Sequence, residues 1–334
     1  MTTTPQNAAP FVSVLMSCYN ASRWLGESIQ SVLNQSYGDF EFIIVDDGSK
    51  DDTLSIIRRY ASNDDRIVVI AKSNTGLAAS LNVGIKQARG EWIARLDADD
   101  ICELERLEKQ VQAALNNPEL IFIGTGLVLI DEQGQILSTH HYPKTHGKLV
   151  EHLQTARKFP AHSSAFYRSD AVQSIGGYRP RFHRAQDWDL WLRLSEIGEL
   201  ECLVEPLVRV RKHANQISHD ESGRRQIIDS RTAMISYWIR QHKGEDPVSA
   251  DEQAFHEFRT WVEKQLDLAN AFAKLEYAGR LKSMFSGVIK SPVHLFKLCV
   301  FVFRHPLLIV TFAKDQIVGE TLTRKIAAEW LRMR

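Results

Sequence analysis

The chain has 334 residues, 44% of them apolar, enough to bury a sizeable core in one large domain or in a domain with an appendage. Its 41 basic and 41 acidic side chains cancel, which removes any general electrostatic case for nucleic-acid binding and confines a polyanion site to a local cluster. Cys18, Cys102, Cys202 and Cys299 stand far apart with no metal-ligand spacing, as expected of reduced thiols in the cytosol.

Residues 1–10 are polar, with neither a basic segment nor a long apolar run, and read as a short disordered lead rather than a signal peptide. From Phe11 the pattern alternates: strand 11–16, helix 22–35, strand 41–45, helix 52–62, strand 66–71, helix 76–88, and a strand ending at Leu96. Short apolar strands separated by helices predict an α/β, Rossmann-like architecture, a mainly parallel sheet flanked by helices. Ligands of such sheets sit beyond the carboxyl ends of the strands. Polar residues gather at those ends: Cys18-Tyr19-Asn20, Asp46-Asp47-Gly48-Ser49 and Asp97-Ala98-Asp99.

From Leu120 the pattern is less regular, with strands expected over 121–130, 136–141, 163–167 and 202–210 and a helix over 187–197. These extend the same sheet, so the domain is expected to run over 11–218. Residues 219–334 read as a helical C-terminal extension, with helical sequence to Lys243, a turn at Gly244-Glu245-Asp246-Pro247 and a helix over 250–277.

The apolar run Trp92-Ile93-Ala94-Arg95-Leu96 ends in Asp97-Ala98-Asp99-Asp100, with Arg95 as the one nearby counter-charge. In an extended segment Asp97 and Asp99 project to one side. Converging carboxylates repel unless a cation lies between them, and a hard divalent ion arriving with a diphosphate would hold them. The alternative is a solvated acidic turn before a helix, with Asp99 or Asp100 as its cap. Plain structural readings stand beside the other candidates too. Asp46 and Asp47 fit a turn before Gly48, and Arg89 fits a helix-end cation. His213 fits a surface position in a basic loop, and Asp189 an i,i+4 partner of Arg193.

Taken in order, Cys18-Tyr19-Asn20, Val45-Asp46-Asp47-Gly48-Ser49, Ala88-Arg89-Gly90-Glu91-Trp92, Leu96-Asp97-Ala98-Asp99-Asp100, Phe159-Pro160-Ala161-His162-Ser163-Ser164, Ile175-Gly176-Gly177-Tyr178 and Gln186-Asp187-Trp188-Asp189 resemble the inverting family 2 glycosyltransferases of the GT-A fold. The resemblance covers about Val12 to Ser218. It implies transfer of a sugar from a nucleoside-diphosphate donor, UDP foremost, to a glycan or lipid-linked acceptor in surface polysaccharide biosynthesis. By the same resemblance Tyr19 and Asn20 line the nucleoside pocket, Asp46 and above all Asp47 accept hydrogen bonds from the base or ribose, and Arg89 lies near the diphosphate. Asp97 and Asp99 become a site for Mg²⁺ or Mn²⁺, with Asp99 the direct ligand and Asp100 left as a helix cap. Asp187 is the implied general base, His213 the implied completion of the metal sphere or a diphosphate contact, and His162 a shaper of the acceptor pocket. Gln186 departs from the common Glu-Asp pair, and without a like charge beside it Asp187 is expected to keep a lower pKa.

Two other functions stay open at this level. One is a non-catalytic nucleotide-sugar-binding or scaffolding protein on the same fold. The other, a sugar-1-phosphate nucleotidyltransferase, would want a Gly-rich basic loop where Ser17-Cys18-Tyr19-Asn20 stands. Residues 292–313 are strongly apolar, but Lys297, Arg304 and Pro306 interrupt them, which suits in-plane attachment to the inner leaflet better than a span. A buried hairpin or a dimer interface is the alternative there. The expected location is cytoplasmic, peripheral on the cytoplasmic face of the membrane.

Overall fold

The computed structural model describes residues 9–213, 223–267 and 319–333. Residues 1–8 of the polar lead, the segment around Ser218 and the apolar stretch 292–313 lie outside the described residues. The chain divides into two compact units, one of residues 1–153 and 157–223, the other of residues 154–156 and 224–334.

Strands β1 (Val12–Cys18) and β2 (Phe40–Asp46) are buried along their whole length, which is why both read as near-continuous apolar runs. They pair in parallel, with β3 (Ile67–Ala71) beside β2 and β4 (Trp92–Arg95) beside β1, both also parallel. Helices α1 (Ser22–Leu33), α2 (Thr53–Ala61) and α3 (Leu77–Gln87) make the crossovers. Helix α1 buries Leu25, Ile29 and Val32, one face at helical spacing. Helix α3 approaches β1 so closely that a Cβ on Gly84 would lie 2.1 Å from Leu15 Cδ1.

The later half adds β5 (Ile101–Cys102), α4 (Arg106–Asn116), β6 (Leu120–Ile130), β7 (Ile136–His140) and α5 (His146–Gln154). A 3₁₀ turn (His162–Ser164), β8 (Phe166–Arg168), α6 (Ser169–Ser174), α7 (Gln186–Leu194) and β9 (Glu199–Arg211) follow. The result is one nine-stranded sheet in the order β3-β2-β1-β4-β8-β6-β9-β5, with β7 paired to β6. Strand β8 runs antiparallel to β4 and β6, while β9 runs parallel to β6. The irregular half therefore continues the parallel sheet, as expected. Residues 163–164, expected to open a strand, are in the 3₁₀ turn instead, because the Ser164 N–H bonds back to the Ala161 carbonyl at 2.8 Å.

Among the described residues the second unit has α8 (Gly223–Gln241), α9 (residues 252–267) and α10 (Gly319–Met333). The turn after α8 is fixed by Asp246, whose carboxylate accepts the Val248 N–H at 3.0 Å and pairs with Arg240 at 3.0 Å. Among the described residues no helix is long and apolar enough to cross a membrane.

Strand order reverses at β1: β2 and β3 lie to one side of it and β4 to the other. A crevice opens at the carboxyl ends where connections diverge in this way. The ends of β1, β2 and β3 are flush, since Cys18 pairs with Asp46 and Asp46 with Ala71. The opposite edge is closed by polar bonds. Buried Glu41 accepts the Ser13 hydroxyl at 2.6 Å, the Arg89 N–H at 2.7 Å and Arg89 Nε at 2.8 Å, and the Gly90 N–H donates to Ser13 Oγ at 2.8 Å. A Cβ on Gly90 would stand 2.4 Å from the Ser13 amide nitrogen, a backbone atom that cannot swing aside. Gly90→Ala is therefore expected to cost about 2 kcal/mol or more of stability. Urea unfolding checks this: the midpoint should fall with the slope unchanged.

Candidate active site

On the β1–β2 side the crevice wall is a set of interlocked turns. Gly48 has φ +75°, and a Cβ there would lie 2.8 Å from the Asn74 amide nitrogen, so the turn after β2 can pack on loop 72–76 only as glycine. Asn20 also adopts a left-handed conformation, φ 49°, which asparagine tolerates better than most residues. Its side-chain oxygen accepts the Lys50 N–H at 2.8 Å, and its own N–H donates to Ser49 Oγ at 3.0 Å. Beside it the Tyr19 ring is 48% exposed, an aromatic face at the mouth of the crevice.

Asp46 and Asp47 are both buried. Asp46 receives only long contacts from the Ser49 N–H, at 3.4 Å. Asp47 accepts the Thr75 and Gly76 N–H groups at 2.9 Å each and pairs with Lys72, whose ammonium also reaches Thr75 Oγ1 at 2.6 Å and Ser80 Oγ at 3.0 Å. Burial opposes the charge on Asp47, but Lys72 and the Thr75 N–H more than offset it and hold the carboxyl below its usual range. Asp47 thus moors loop 72–76 and the start of α3. Nothing in the sequence marked Lys72 for that part.

After β4 the chain turns at once, with the Asp100 N–H bonded to the Asp97 carbonyl at 3.3 Å. Asp97, Asp99 and Asp100 converge, with ligand atoms all within 4.8 Å of one another. A turn produces this convergence, not the alternation of an extended strand. Asp97 pairs with fully buried Arg95 and accepts the Ser163 hydroxyl at 2.9 Å. Crowding by protein opposes its charge, and the Arg95 guanidinium overrides that and holds its carboxyl low. Asp99 meets His213 Nε2 at 2.8 Å, yet burial and the Asp97 charge push its carboxyl up. Asp100 is pushed well up, by burial first and then by both neighbours.

Asp100 is not a helix cap. It is buried, faces the Ser163 hydroxyl and accepts the Arg211 N–H at 2.9 Å, and α4 begins only at Arg106. Arg211 is nearly inaccessible, pairs with Glu27 at 2.6 Å and donates to the Asp99 carbonyl at 3.1 Å, so β9 is stitched to the acidic turn. The sequence offered Arg211 only as a neighbour of His213, and Ser163 only as a member of a motif.

The His213 ring packs 4.5 Å from Trp24, and its Nδ1 is buried without a partner. The three crowded carboxylates are an oxygen donor set of the kind Mg²⁺ or Mn²⁺ takes. Asp97, Asp99 and Asp100 together could hold such an ion, and His213 reaches this cluster through Nε2 on Asp99.

The far wall of the crevice is α7. Asp189 is buried and paired with Arg179 and, at 2.9 Å, with Arg193, which is the structural partnership expected at i+4. Trp191 is buried against Phe122 and Tyr167, a core residue. Asp187 accepts the Trp188 N–H at 2.8 Å and has no cation partner among the described residues. Burial raises its carboxyl above the usual range, contrary to the expectation from Gln186: loss of a like-charged neighbour matters less than enclosure. Arg95 and Asp97 are near enough to act on it electrostatically. His162 bonds the Tyr178 hydroxyl at 2.6 Å, and burial then Arg95 push its imidazole well down, which favours the neutral ring.

Arg89 does not belong to this rim. It lies before β4, at the amino-terminal edge of the parallel strands, and its side chain is engaged by Glu41. The sequence order Arg89-Gly90-Glu91 placed it close in number to Asp97, but the length of β4 separates them.

Sequence comparison matches residues 13–176 to the profile described as Glycosyl transferase family 2. EpsE of Bacillus subtilis, provisionally named a glycosyltransferase, is 40% identical over 215 residues, 63% of this chain and 76% of that protein. The O-antigen biosynthesis glycosyltransferase WbnJ of Escherichia coli is 34% identical over 208 residues, 60% of this chain and 80% of that protein. Among solved structures, S. aureus TarS 1–349 in complex with UDP-GlcNAc has a TM-score of 0.57 at 16% identity, covering 97% of this chain and 92% of that one. The mannosyltransferase PcManGT from Pyrobaculum calidifontis, in complex with GDP-Man and Mn²⁺, has a TM-score of 0.55 at 16% identity, covering 98% and 88%. At such identities these structures speak for the GT-A fold alone. The sequence relatives and the matching profile together speak for the family: sharing two-fifths and one-third of its aligned residues with proteins named glycosyltransferases, over three quarters or more of their length, the chain belongs to glycosyltransferase family 2.

Proposed function

We propose that this enzyme moves a sugar, with inversion, from a UDP-linked donor to a hydroxyl of a glycan or lipid-linked acceptor during synthesis of a surface polysaccharide. The names of its relatives support the setting, since they include O-antigen and chondroitin synthesis. The UDP-GlcNAc complex of TarS supports the donor class. The observation that carries the reading is the contrast on α7, where Asp189 is saturated by two guanidinium groups while Asp187 has no cation partner among the described residues and is raised by burial. A carboxylate without a cation partner keeps its basicity, which is what a base needs.

In this reading the Tyr19 ring covers the base, and Asn20 and Asp46 shape the pocket around the nucleoside. Asp47 keeps loop 72–76 in place and presents acceptor lone pairs toward it. Asp99, with Asp97 and His213, would hold Mg²⁺ or Mn²⁺, which when bound neutralises charge on the departing diphosphate. The acceptor hydroxyl attacks the anomeric carbon from the face opposite the diphosphate, and Asp187 takes its proton as the bond forms. The catalytic part is assigned to residues 11–218. The extension 219–334 is assigned peripheral attachment to the cytoplasmic face of the membrane, on the strength of the apolar runs in 292–313 and of Lys282, Lys290, Lys297 and Arg304 around them.

A panel of UDP-sugars, assayed for release of UDP with Mn²⁺ or Mg²⁺ and with membrane lipid extract as acceptor source, tests the reaction. Asp187→Asn should lower transfer by about a hundredfold or more while UDP binding is retained, and unchanged transfer would exclude Asp187 as base. Because the base must be ionised and burial raises its pKa, the rate should climb with pH through a limb lying above the ordinary aspartate range. Asp99→Ala should abolish the dependence of UDP release on added metal; a variant still stimulated by Mn²⁺ to the wild-type extent would refute the metal role. Truncation before Gly279 should move the protein from membrane to soluble fractions, and undiminished membrane recovery would refute the attachment.

A further inference from the structure

The motif Ile175-Gly176-Gly177-Tyr178 has no part in the chemistry above, yet its backbone is held by side chains from two helices. Asn82, on α3, accepts the Tyr178 N–H at 2.8 Å through Oδ1 and donates from Nδ2 to the Tyr178 carbonyl at 2.7 Å. One side-chain amide thus replaces both backbone partners of a residue 96 positions away. Gly177 makes this approach possible. Its φ is +69°, and a Cβ there would lie 2.5 Å from Asn82 Oδ1. Asparagine is a poor helix former in mid-helix, so its presence on α3 is better accounted for by the clamp than by the helix.

The same loop is gripped from its other side by α7. Arg193 donates to the Ile175 carbonyl at 2.8 Å and to the Gly177 carbonyl at 2.7 Å, and it is bound to Asp189, two residues beyond Asp187. The buried Tyr178 hydroxyl bonds His162, the neighbour in sequence of Ser163, which faces Asp97 and Asp100. Helix α3 itself starts at the loop whose Thr75 and Gly76 N–H groups are moored to Asp47. Loop 175–178 is therefore bonded both to the helix that begins at the nucleoside wall and to the helix that carries Asp187.

We propose that Asn82 is a positioning residue for sugar transfer: by clamping the Tyr178 backbone it fixes α7, and hence the Asp187 carboxylate, relative to the donor side of the crevice. The proposal rests on the reading of Asp187 as the base. Asn82 touches neither substrate in this scheme. Its removal should spoil the alignment of base and acceptor without weakening the hold on the nucleotide, and small misplacements of reacting groups cost rate steeply.

The test compares wild type with Asn82→Ala by hydrogen exchange, by calorimetry with UDP and Mn²⁺, and by steady-state transfer from the UDP-sugar found active in the panel. Expected are faster exchange in peptides covering 175–179 and 185–190 with 46–50 unchanged, UDP affinity within about twofold of wild type, and kcat lowered about tenfold or more at unaltered KM for the donor. Unchanged exchange over 185–190, or UDP affinity falling in step with transfer, would overturn the proposal. Should Asn82→Ala fail to fold, Asn82→Asp keeps the acceptor for the Tyr178 N–H and sets a second oxygen against the Tyr178 carbonyl, and the same pattern is expected of it. A wild-type protein that neither binds UDP nor releases it from any UDP-sugar would instead overturn the donor assignment. The exchange arm needs no ligand and still decides the clamp.

Discussion

Three carboxyl groups whose oxygens lie within 4.8 Å of each other must be reconciled where strand order reverses, and much of the irregular half of the sheet converges on that task. Arg95 comes from the last position of β4, Ser163 from the 3₁₀ turn before β8, and Arg211 and His213 from the end of β9 and the residues after it. These elements lie far apart in sequence, and only the mixed strand order β4-β8-β6-β9 lets them meet at one turn. Buried charges are tolerable when paired and hydrogen-bonded, and each of the three aspartates has such partners. Balance remains incomplete, since burial and mutual repulsion still push Asp99 and Asp100 up. A cluster left short of positive charge in this way could hold a cation.

The two sides of the crevice are built by different means. The β1–β2 wall is backbone: turns closed by Asn20, Gly48 and Asp47, with side chains used mainly to hold peptide groups in place. The α7 wall is side chains, with Asp189 and two arginines forming the rigid part and Asp187 projecting from the same helix. Rigid support of this kind keeps the Asp187 carboxylate in one place.

The parallel half of the fold was legible because its strands are buried on both faces and separated by helices of ordinary length, so β1 to β4 and α1 to α3 fall where alternation puts them. The acidic residues at strand ends were legible for the same reason. What escaped notice depends on contacts with no short-range signal. Lys72 is one lysine among many until Asp47 is seen beside it. Two-residue β5 and six-residue α6 are too short to show a period. The role of Asp100 went astray because a helix does follow the acidic turn, but only after β5 has intervened. Arg89 misled for a geometric reason: adjacency in number says nothing about which end of an intervening strand a residue occupies.

That last correction has a practical side. Arg89 remains 58% exposed at the edge of the sheet farthest from the crevice, tethered by a buried glutamate that fixes its direction. A reporter dye or a surface linker attached at that edge would leave the crevice mouth open to both donor and acceptor. For an enzyme expected to work on large, lipid-linked or polymeric acceptors, such a handle allows immobilisation in a known orientation, with the catalytic face presented outward.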